Sequence, residues 1–135
     1  MSAIFPSPEW LKALEVKLNS DEQYARIAKN WEGDFLFIVE PGGPVKEQIL
    51  YYLDLWHGKC RKTSIPKDIS EVKPAFVMRS PYENFSKVLK GELEVMQALL
   101  TRKVQLQGSM AYMMRNVPVV LDFVRVAREN TKEIL

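Results

Sequence analysis

The chain has 135 residues, of which 47% are hydrophobic and 27% are charged, and its formal net charge is +2. This size and composition predict one globular domain over residues 1–135 and exclude a disordered segment. A charge so close to balance does not favour nucleic acid as a partner. The lone Cys60 cannot form an intrachain disulfide, and the first twenty residues lack the apolar stretch of a signal peptide or a membrane span. We therefore expect a cytoplasmic protein with at most transient membrane contact.

Two helical patterns open the chain. Ser7, Pro8 and Glu9 supply an N-cap, a proline for the first turn and an acid that faces the positive end of the helix dipole. Ser20 and Gln23 have the spacing of a capping box, which predicts the start of a second helix. Together these patterns predict a helical segment of about thirty residues.

Strand patterns follow. The predicted strands cover residues 35–39, 49–56, 59–65 and 75–79. The first is a continuous apolar run of aromatic and β-branched residues, which is typical of a strand buried on both faces. The sequence His57-Gly58 predicts a tight turn that joins the second and third strands into a hairpin.

The second half returns to helices. Ser80, Pro81 and Glu83 repeat the cap, proline and capping-box pattern, and Gly91 predicts the end of that helix. A short helix, a fifth strand over residues 103–107 and a last helix from about residue 109 complete the order. The alternation of helices and strands predicts an α+β fold with a five-stranded, mainly antiparallel sheet.

A proline interrupts the last predicted helix. Pro118 removes one backbone hydrogen bond and clashes with the carbonyl four residues earlier. The helix should therefore kink there or restart with Asn116 as its cap.

Catalytic chemistry is weakly represented in this sequence. Asp54, His57 and Cys60 are spaced three apart across the predicted hairpin turn, where a metal site or a Cys-His pair could form. Alternation along the strands would scatter these side chains, so we favour the alternative of a surface histidine beside a half-buried cysteine. We predict no catalytic residues, no metal and no cofactor.

One basic cluster contains Lys59, Arg61, Lys62, Lys67 and Lys73. It has two interpretations: recognition of anionic head groups or of a coenzyme A phosphate, or protection of an exposed edge strand against aggregation. We favour edge protection.

Methionines concentrate in the last third, at Met96, Met110, Met113 and Met114. Methionine has an unbranched, polarizable side chain that adapts to irregular apolar partners, which suits a lipid-binding wall. Ordinary core packing is the alternative for a stripe of this kind.

Residues 74–118, "PAFVMRSPYENFSKVLKGELEVMQALLTRKVQLQGSMAYMMRNVP", resemble the sterol carrier protein type 2 family. Members of that family typically carry Gly-x-Leu after the helix and Gly-Asn-Met or a similar turn before the last helix. Gly91, Leu93, Gly108 and Met110 stand in those places in this sequence.

The resemblance implies a five-stranded sheet covered by helices, with an apolar tunnel between them that accepts a fatty acid, a fatty acyl-CoA, a sterol or a similar lipid. It implies a lipid carrier that is a monomer or a homodimer and has no enzymatic activity. An accessory or oligomerisation module for a lipid-metabolising enzyme is the alternative. The tunnel residues that the resemblance implies are Met96, Leu99, Leu100, Met110, Met113, Met114, Val117 and Leu121.

Overall fold

The computed structural model describes residues 3–135. The helices are α1 (Pro8–Ser20), α2 (Glu22–Ile27), α3 (Tyr82–Lys90), α4 (Val95–Leu100), α5 (Met110–Arg115) and α6 (Val117–Asn130). The strands are β1 (Ala3–Phe5), β2 (Phe35–Glu40), β3 (Ile49–Trp56), β4 (Lys59–Ser64), β5 (Phe76–Pro81), β6 (Gln105–Gln107) and β7 (Thr131–Ile134). The predicted α+β class is confirmed.

Five strands form one sheet in the order β4-β3-β2-β5-β6. Three of its pairs are antiparallel, whereas β2 and β5 are parallel. The predicted five-stranded, mainly antiparallel sheet is therefore confirmed. Its centre is β2, whose backbone bonds to strands on both sides and whose apolar run is covered on both faces.

The two faces of this sheet have different covers. On one face, the helices bury the main apolar core. On the other, Leu36, Ile38 and Leu50 form a separate small cluster with Val72, which comes from the segment that joins β4 to β5. This second cluster explains why β2 is apolar at successive positions rather than at alternate ones.

The structure confirms the first predicted cap and corrects the second. The Ser7 hydroxyl accepts a hydrogen bond from the Trp10 backbone N–H at 3.1 Å. Asp21, not Ser20, caps α2 by accepting from the Tyr24 N–H at 2.8 Å. Ser20 is the last residue of α1 and donates to the Val16 carbonyl four residues earlier, so its hydroxyl is already used.

The cap predicted at Ser80 is also wrong. Ser80 belongs to β5, and its hydroxyl donates to the Lys103 carbonyl at 2.8 Å. Helix α3 starts at Tyr82 with no side-chain cap. The ladder between β2 and β5 extends to Pro81, so the sheet keeps the residues that local propensity assigns to a helix start.

The last helical segment is divided at Asn116, which ends α5 and precedes α6. Pro118 lies in the first turn of α6, where a proline costs no intrahelical hydrogen bond. The predicted restart at Asn116 is confirmed, but the Asn116 side chain does not cap α6 and instead donates to the Tyr112 carbonyl at 2.8 Å.

A second, two-stranded sheet pairs β1 with β7 in parallel and was not predicted. It is reinforced by two bonds from α1: the Trp10 indole donates to the Thr131 hydroxyl at 2.9 Å, and the Trp10 carbonyl accepts from Asn130 at 3.0 Å. Strands of three and four residues are too short to show a period in the sequence. Within residues 3–135, no helix has the length and hydropathy needed to cross a bilayer.

Candidate ligand cavity

An apolar cavity of about 90 Å³ lies between the helices and the face of the sheet that they cover. The strands contribute alternate residues, as the pleat requires. From β2 these are Phe35, Phe37 and Val39, and the paired strand β3 adds Leu53 opposite Phe35 and Tyr51 opposite Phe37. The sheet therefore forms a nearly continuous aromatic and aliphatic floor.

Helices α3 and α6 form the opposite wall. Phe85, Val88 and Leu89 on α3 have the i, i+3, i+4 spacing of one helix face. The α6 wall follows the same rule, and its residues are Val119, Val120, Phe123, Val124 and Ala127. The remaining lining residues are Phe5, Trp10, Leu14, Tyr24, Trp31, Leu55, Met78, Val95 and Val104.

Three phenylalanines join the floor to the wall. Phe37 is stacked with Phe123 at a centroid distance of 5.9 Å and meets Phe85 edge-on at 6.2 Å. These three residues and Leu89 are the lining residues that are only partly buried. The free space therefore borders mainly on the junction of β2, α3 and α6.

The lining carries no charge. Its only ionisable side chains are Tyr24 and Tyr51, and burial raises the pKa of both phenols. The Tyr51 hydroxyl donates to the Ser7 carbonyl at 2.7 Å, and the Trp31 indole donates to the Gly33 carbonyl at 2.9 Å. A cavity of this kind offers an apolar chain favourable burial and offers an ion no partner.

The cavity volume is small for a ligand. Pockets that hold drug-sized molecules measure roughly 300–1,000 Å³, whereas this one measures about 90 Å³. A molecule as large as a long acyl chain or a sterol would fit only if lining side chains moved. The partly buried Phe37, Phe85 and Phe123, like Leu89, have space beside them to move.

None of the eight side chains predicted to contact a ligand lines the cavity. Met96, Leu99 and Met113 are buried in the core, whereas Met110 and Val117 are partly buried at its edge. Leu100, Met114 and Leu121 are exposed, at 62%, 48% and 44% of their surface. Their contact with a ligand stays a prediction.

The lining residues were hard to predict because they carry the ordinary pattern of a core. Helical spacing predicts one stripe of α6 through Val117, Leu121 and Val124. Of these three only Val124 lines the cavity, together with Val120, Phe123 and Ala127. For the floor, the alternation of Tyr51, Leu53 and Leu55 along the second predicted strand was an available signal, whereas the continuous apolar run at 35–39 does not distinguish the two faces of its strand.

Asp54, His57 and Cys60 do not converge. Arg61 binds both oxygens of Asp54, at 3.0 and 3.1 Å, and Glu32 lies 2.6 Å from His57 Nε2. Cys60 is buried, and burial raises the pKa of its thiol to about 12, so it is protonated at neutral pH. Within residues 3–135, no three His, Cys, Asp or Glu side chains are placed to hold one metal ion.

Three of the five residues of the basic cluster lie where edge protection predicts, whereas Lys67 and Lys73 belong to the segment between β4 and β5. β4 is an edge strand of the five-stranded sheet, and Lys59, Arg61 and Lys62 on it are exposed. Charged side chains on an edge strand hinder pairing with the edge of another molecule.

Comparison with known proteins identifies similar folds and one matching family. The model of the SCP-2 sterol transfer family matches residues 11–120. The crystal structure of a sterol carrier protein 2 has 30% identity and a TM-score of 0.83, over 93% of this chain and 98% of that one. Comparison with curated protein sequences finds no match.

Two solution structures are also similar. TT1886 from Thermus thermophilus, a conserved hypothetical protein described as possibly a sterol carrier protein, has 30% identity and a TM-score of 0.84 over 97% of this chain and 93% of that one. The sterol carrier protein domain 2 of Helicoverpa armigera has 21% identity and a TM-score of 0.62 over 98% of both chains. At that identity, the second likeness concerns the fold alone.

Proposed function

The chain belongs to the SCP-2 sterol transfer family, and from this we propose that it binds and carries a hydrophobic lipid in the cavity between sheet and helices. The ligand is a fatty acid, a fatty acyl-CoA, a sterol or a similar lipid. A relative with 30% identity is named sterol carrier protein 2, and its structure aligns with nearly the whole chain, which supports the carrier role.

The observation that carries this proposal is the uncharged, apolar lining. Each buried methylene contributes roughly 0.8 kcal/mol to the binding free energy, so a long chain needs few polar contacts. Displacement of Phe37, Phe85 and Phe123 would enlarge the cavity along the junction of β2, α3 and α6. Further enlargement into the surrounding core would bring the ligand closer to the buried Met96, Leu99 and Met113.

We also propose that the protein acts by partition and release, without catalysis. The protonated Cys60 and the separate partners of Asp54 and His57 support this view. We propose a cytoplasmic monomer or homodimer that contacts membranes only transiently. We also propose that it binds no nucleic acid, which the net charge of +2 supports.

Native mass spectrometry of the purified protein, followed by organic extraction, tests the carrier function directly. We expect a discrete lipid mass on the folded protein. Val124→Phe adds volume inside the cavity and should weaken the binding of a fluorescent fatty acid, whereas Val16→Phe adds the same volume at a side chain that is 63% exposed and should not. Thermal unfolding of both variants controls for loss of folding.

Two results would contradict the proposal. One is a lipid-free protein that also fails to bind the fluorescent fatty acid. The other is equal binding by both variants and the unmodified protein. Either result, combined with a molecular mass of the protein in solution that rises with its concentration, would instead favour an accessory or oligomerisation module.

A further inference from the structure

Arg128 on α6 lies at the edge of the cavity wall. Its Nε donates to the carbonyl oxygen of Val88 on α3 at 2.9 Å, and Val88 lines the cavity. Ala127, which precedes Arg128 in the chain, also lines the cavity, and so does Leu89, which follows Val88. The guanidinium is therefore held against the outer end of the α3 and α6 wall.

The bond to Val88 uses one of the five N–H groups of the guanidinium. Arg128 is exposed, and neither the ion pairs nor the other side-chain hydrogen bonds of residues 3–135 involve it. Because Nε is used, the edge formed by the two terminal nitrogens stays available. That edge matches the two oxygens of a carboxylate or a phosphate.

The end of α3 that Arg128 contacts also carries positive charge. Lys87 and Lys90 lie in the last turn of α3 and are exposed. The nearby acids on α6 are already paired, because Asp122 and Glu129 both bind Arg125. Glu92, just beyond α3, is the acid that follows this helix end.

Other cations beside the lining differ from Arg128. Arg125 follows Val124 in the chain, but its guanidinium is shared among Asp21, Asp122 and Glu129. Arg79 follows Met78 and pairs with Glu40 at 3.5 Å. Arg128 thus combines a fixed position at the wall with freedom to bind an anion.

The cavity itself excludes an ionised head group, since its lining holds no charge and burial of an unpaired ion is costly. We propose that Arg128 binds the anionic head group of the carried lipid, a carboxylate or a phosphate, while the apolar chain lies in the cavity. This inference rests on the proposed carrier function and extends it: the protein favours an anionic lipid over a neutral lipid of equal chain length.

A purely structural role for Arg128 is the competing explanation, since a cation often caps the last carbonyls of a helix. The two roles differ in their dependence on the ligand. If Arg128 only caps the helix, its loss should weaken binding of an acid and of an alcohol of the same chain length equally. If Arg128 binds the head group, its loss should weaken binding of the anion alone.

The test measures dissociation constants of hexadecanoic acid, hexadecyl phosphate and 1-hexadecanol at about pH 8, where a carboxyl group is ionised. Arg128→Gln should weaken binding of both anions roughly five- to tenfold and change hexadecanol binding by less than about twofold. Arg26→Gln, which removes an exposed arginine from α2, should leave all three unchanged. The preference for the anions should also fall with added salt.

Equal losses for the anions and the alcohol, or no loss at all, would overturn the inference while the carrier function stands. If Arg128→Gln weakens binding of only one of the two anions, the claim that Arg128 binds both head groups is overturned for the other anion. An unmodified protein that binds none of the three ligands would overturn both the proposed function and this inference.

Discussion

The side-chain amide of Asn19 on α1 makes two hydrogen bonds to the backbone of Cys60 on β4. Its oxygen accepts from the Cys60 N–H at 2.8 Å, and its nitrogen donates to the Cys60 carbonyl at 2.9 Å. Because β4 is an edge strand, these two groups would otherwise face solvent or the edge strand of another molecule. Asn19 therefore takes the place of a neighbouring strand at this residue.

Asn19→Ala should lower the free energy of unfolding by about 1–2 kcal/mol, because it removes both bonds. It should also increase self-association, since the edge becomes available for pairing. Urea unfolding and analytical ultracentrifugation measure the two effects. Asn30→Ala, at an exposed asparagine in the turn after α2, is the control. Equal stability of the two variants would show that the bonds to Cys60 contribute nothing.

Acid should weaken the attachment of α2 to α6. The Arg125 guanidinium bonds to Asp21 at 2.7 Å and is the main reason why the pKa of Asp21 lies below its ordinary value of 3.8. A lowered carboxyl pKa in the folded state means stability that is fully present above the unfolded pKa and is lost as pH falls through the folded pKa. This contribution should be constant near neutral pH and disappear below about pH 4.

Asp21→Asn isolates this effect because asparagine is an equally good N-cap for α2. The variant should be less stable than the unmodified protein at neutral pH, and the difference should shrink on acidification below about pH 4. Urea unfolding across pH measures it, with Glu47→Gln at an exposed loop residue as the control. A difference that stays constant down to about pH 2 would refute the link to the Asp21 carboxylate.

Replacing two glycines that have nearly the same φ by alanine distinguishes the cost of backbone strain from the cost of a steric clash. Gly58 has φ 79° and Gly91 has φ 81°, so both lie in the left-handed region, where alanine is strained. A Cβ at Gly58 would lie 2.7 Å from the Ala25 carbonyl oxygen, whereas one at Gly91 would meet only the Arg128 guanidinium carbon at 4.0 Å.

Gly91→Ala should therefore cost roughly 1–2 kcal/mol, the penalty for a left-handed residue with a side chain. Gly58→Ala should cost clearly more, because the β3–β4 turn has to move away from α2. Chemical denaturation of both variants checks the order. Equal costs would mean that the turn adjusts without loss.

The start of α6 should influence ligand exchange. Pro118 lies in the first turn of α6, shortly after the break at Asn116 that separates this cavity wall from α5. Pro118→Ala permits α5 and α6 to join into one helix, because it restores the backbone N–H that continuous helix requires. We expect a changed rate of fatty acid release in stopped-flow transfer experiments, with thermal unfolding as the control for stability. An unchanged rate would exclude gating at this break.

Much of the fold could be predicted from local pattern. The continuous apolar run at Phe35–Val39 identified the central strand, His57-Gly58 identified the hairpin turn, and Pro118 identified the helix restart. Each depends on the conformational preference of a few adjacent residues. The resemblance of residues 74–118 to sterol carrier proteins then supplied the family and the idea of an apolar tunnel.

Local pattern was insufficient where two elements compete for the same residues. Ser80 and Pro81 look like a helix start, yet they pair with Val39 and Glu40 in the parallel ladder of β2 and β5. The sequence around β5 does not indicate which strand it pairs with. The sequences around β1 and β7 likewise do not indicate that these two strands pair with each other.

The sequence by itself determined the class of the protein: one apolar pattern of helices and strands, near-neutral charge and a family motif, all of which are local or compositional properties. Only the tertiary structure decided which apolar residues face free space. Packing joined Phe37, Phe85 and Phe123 at the cavity and placed Arg128 beside Val88, although 40 residues separate that last pair in the chain. The physical reason is that a cavity is a property of how helices and sheet fit together, and residues that line it have the same sequence pattern as those that fill the core.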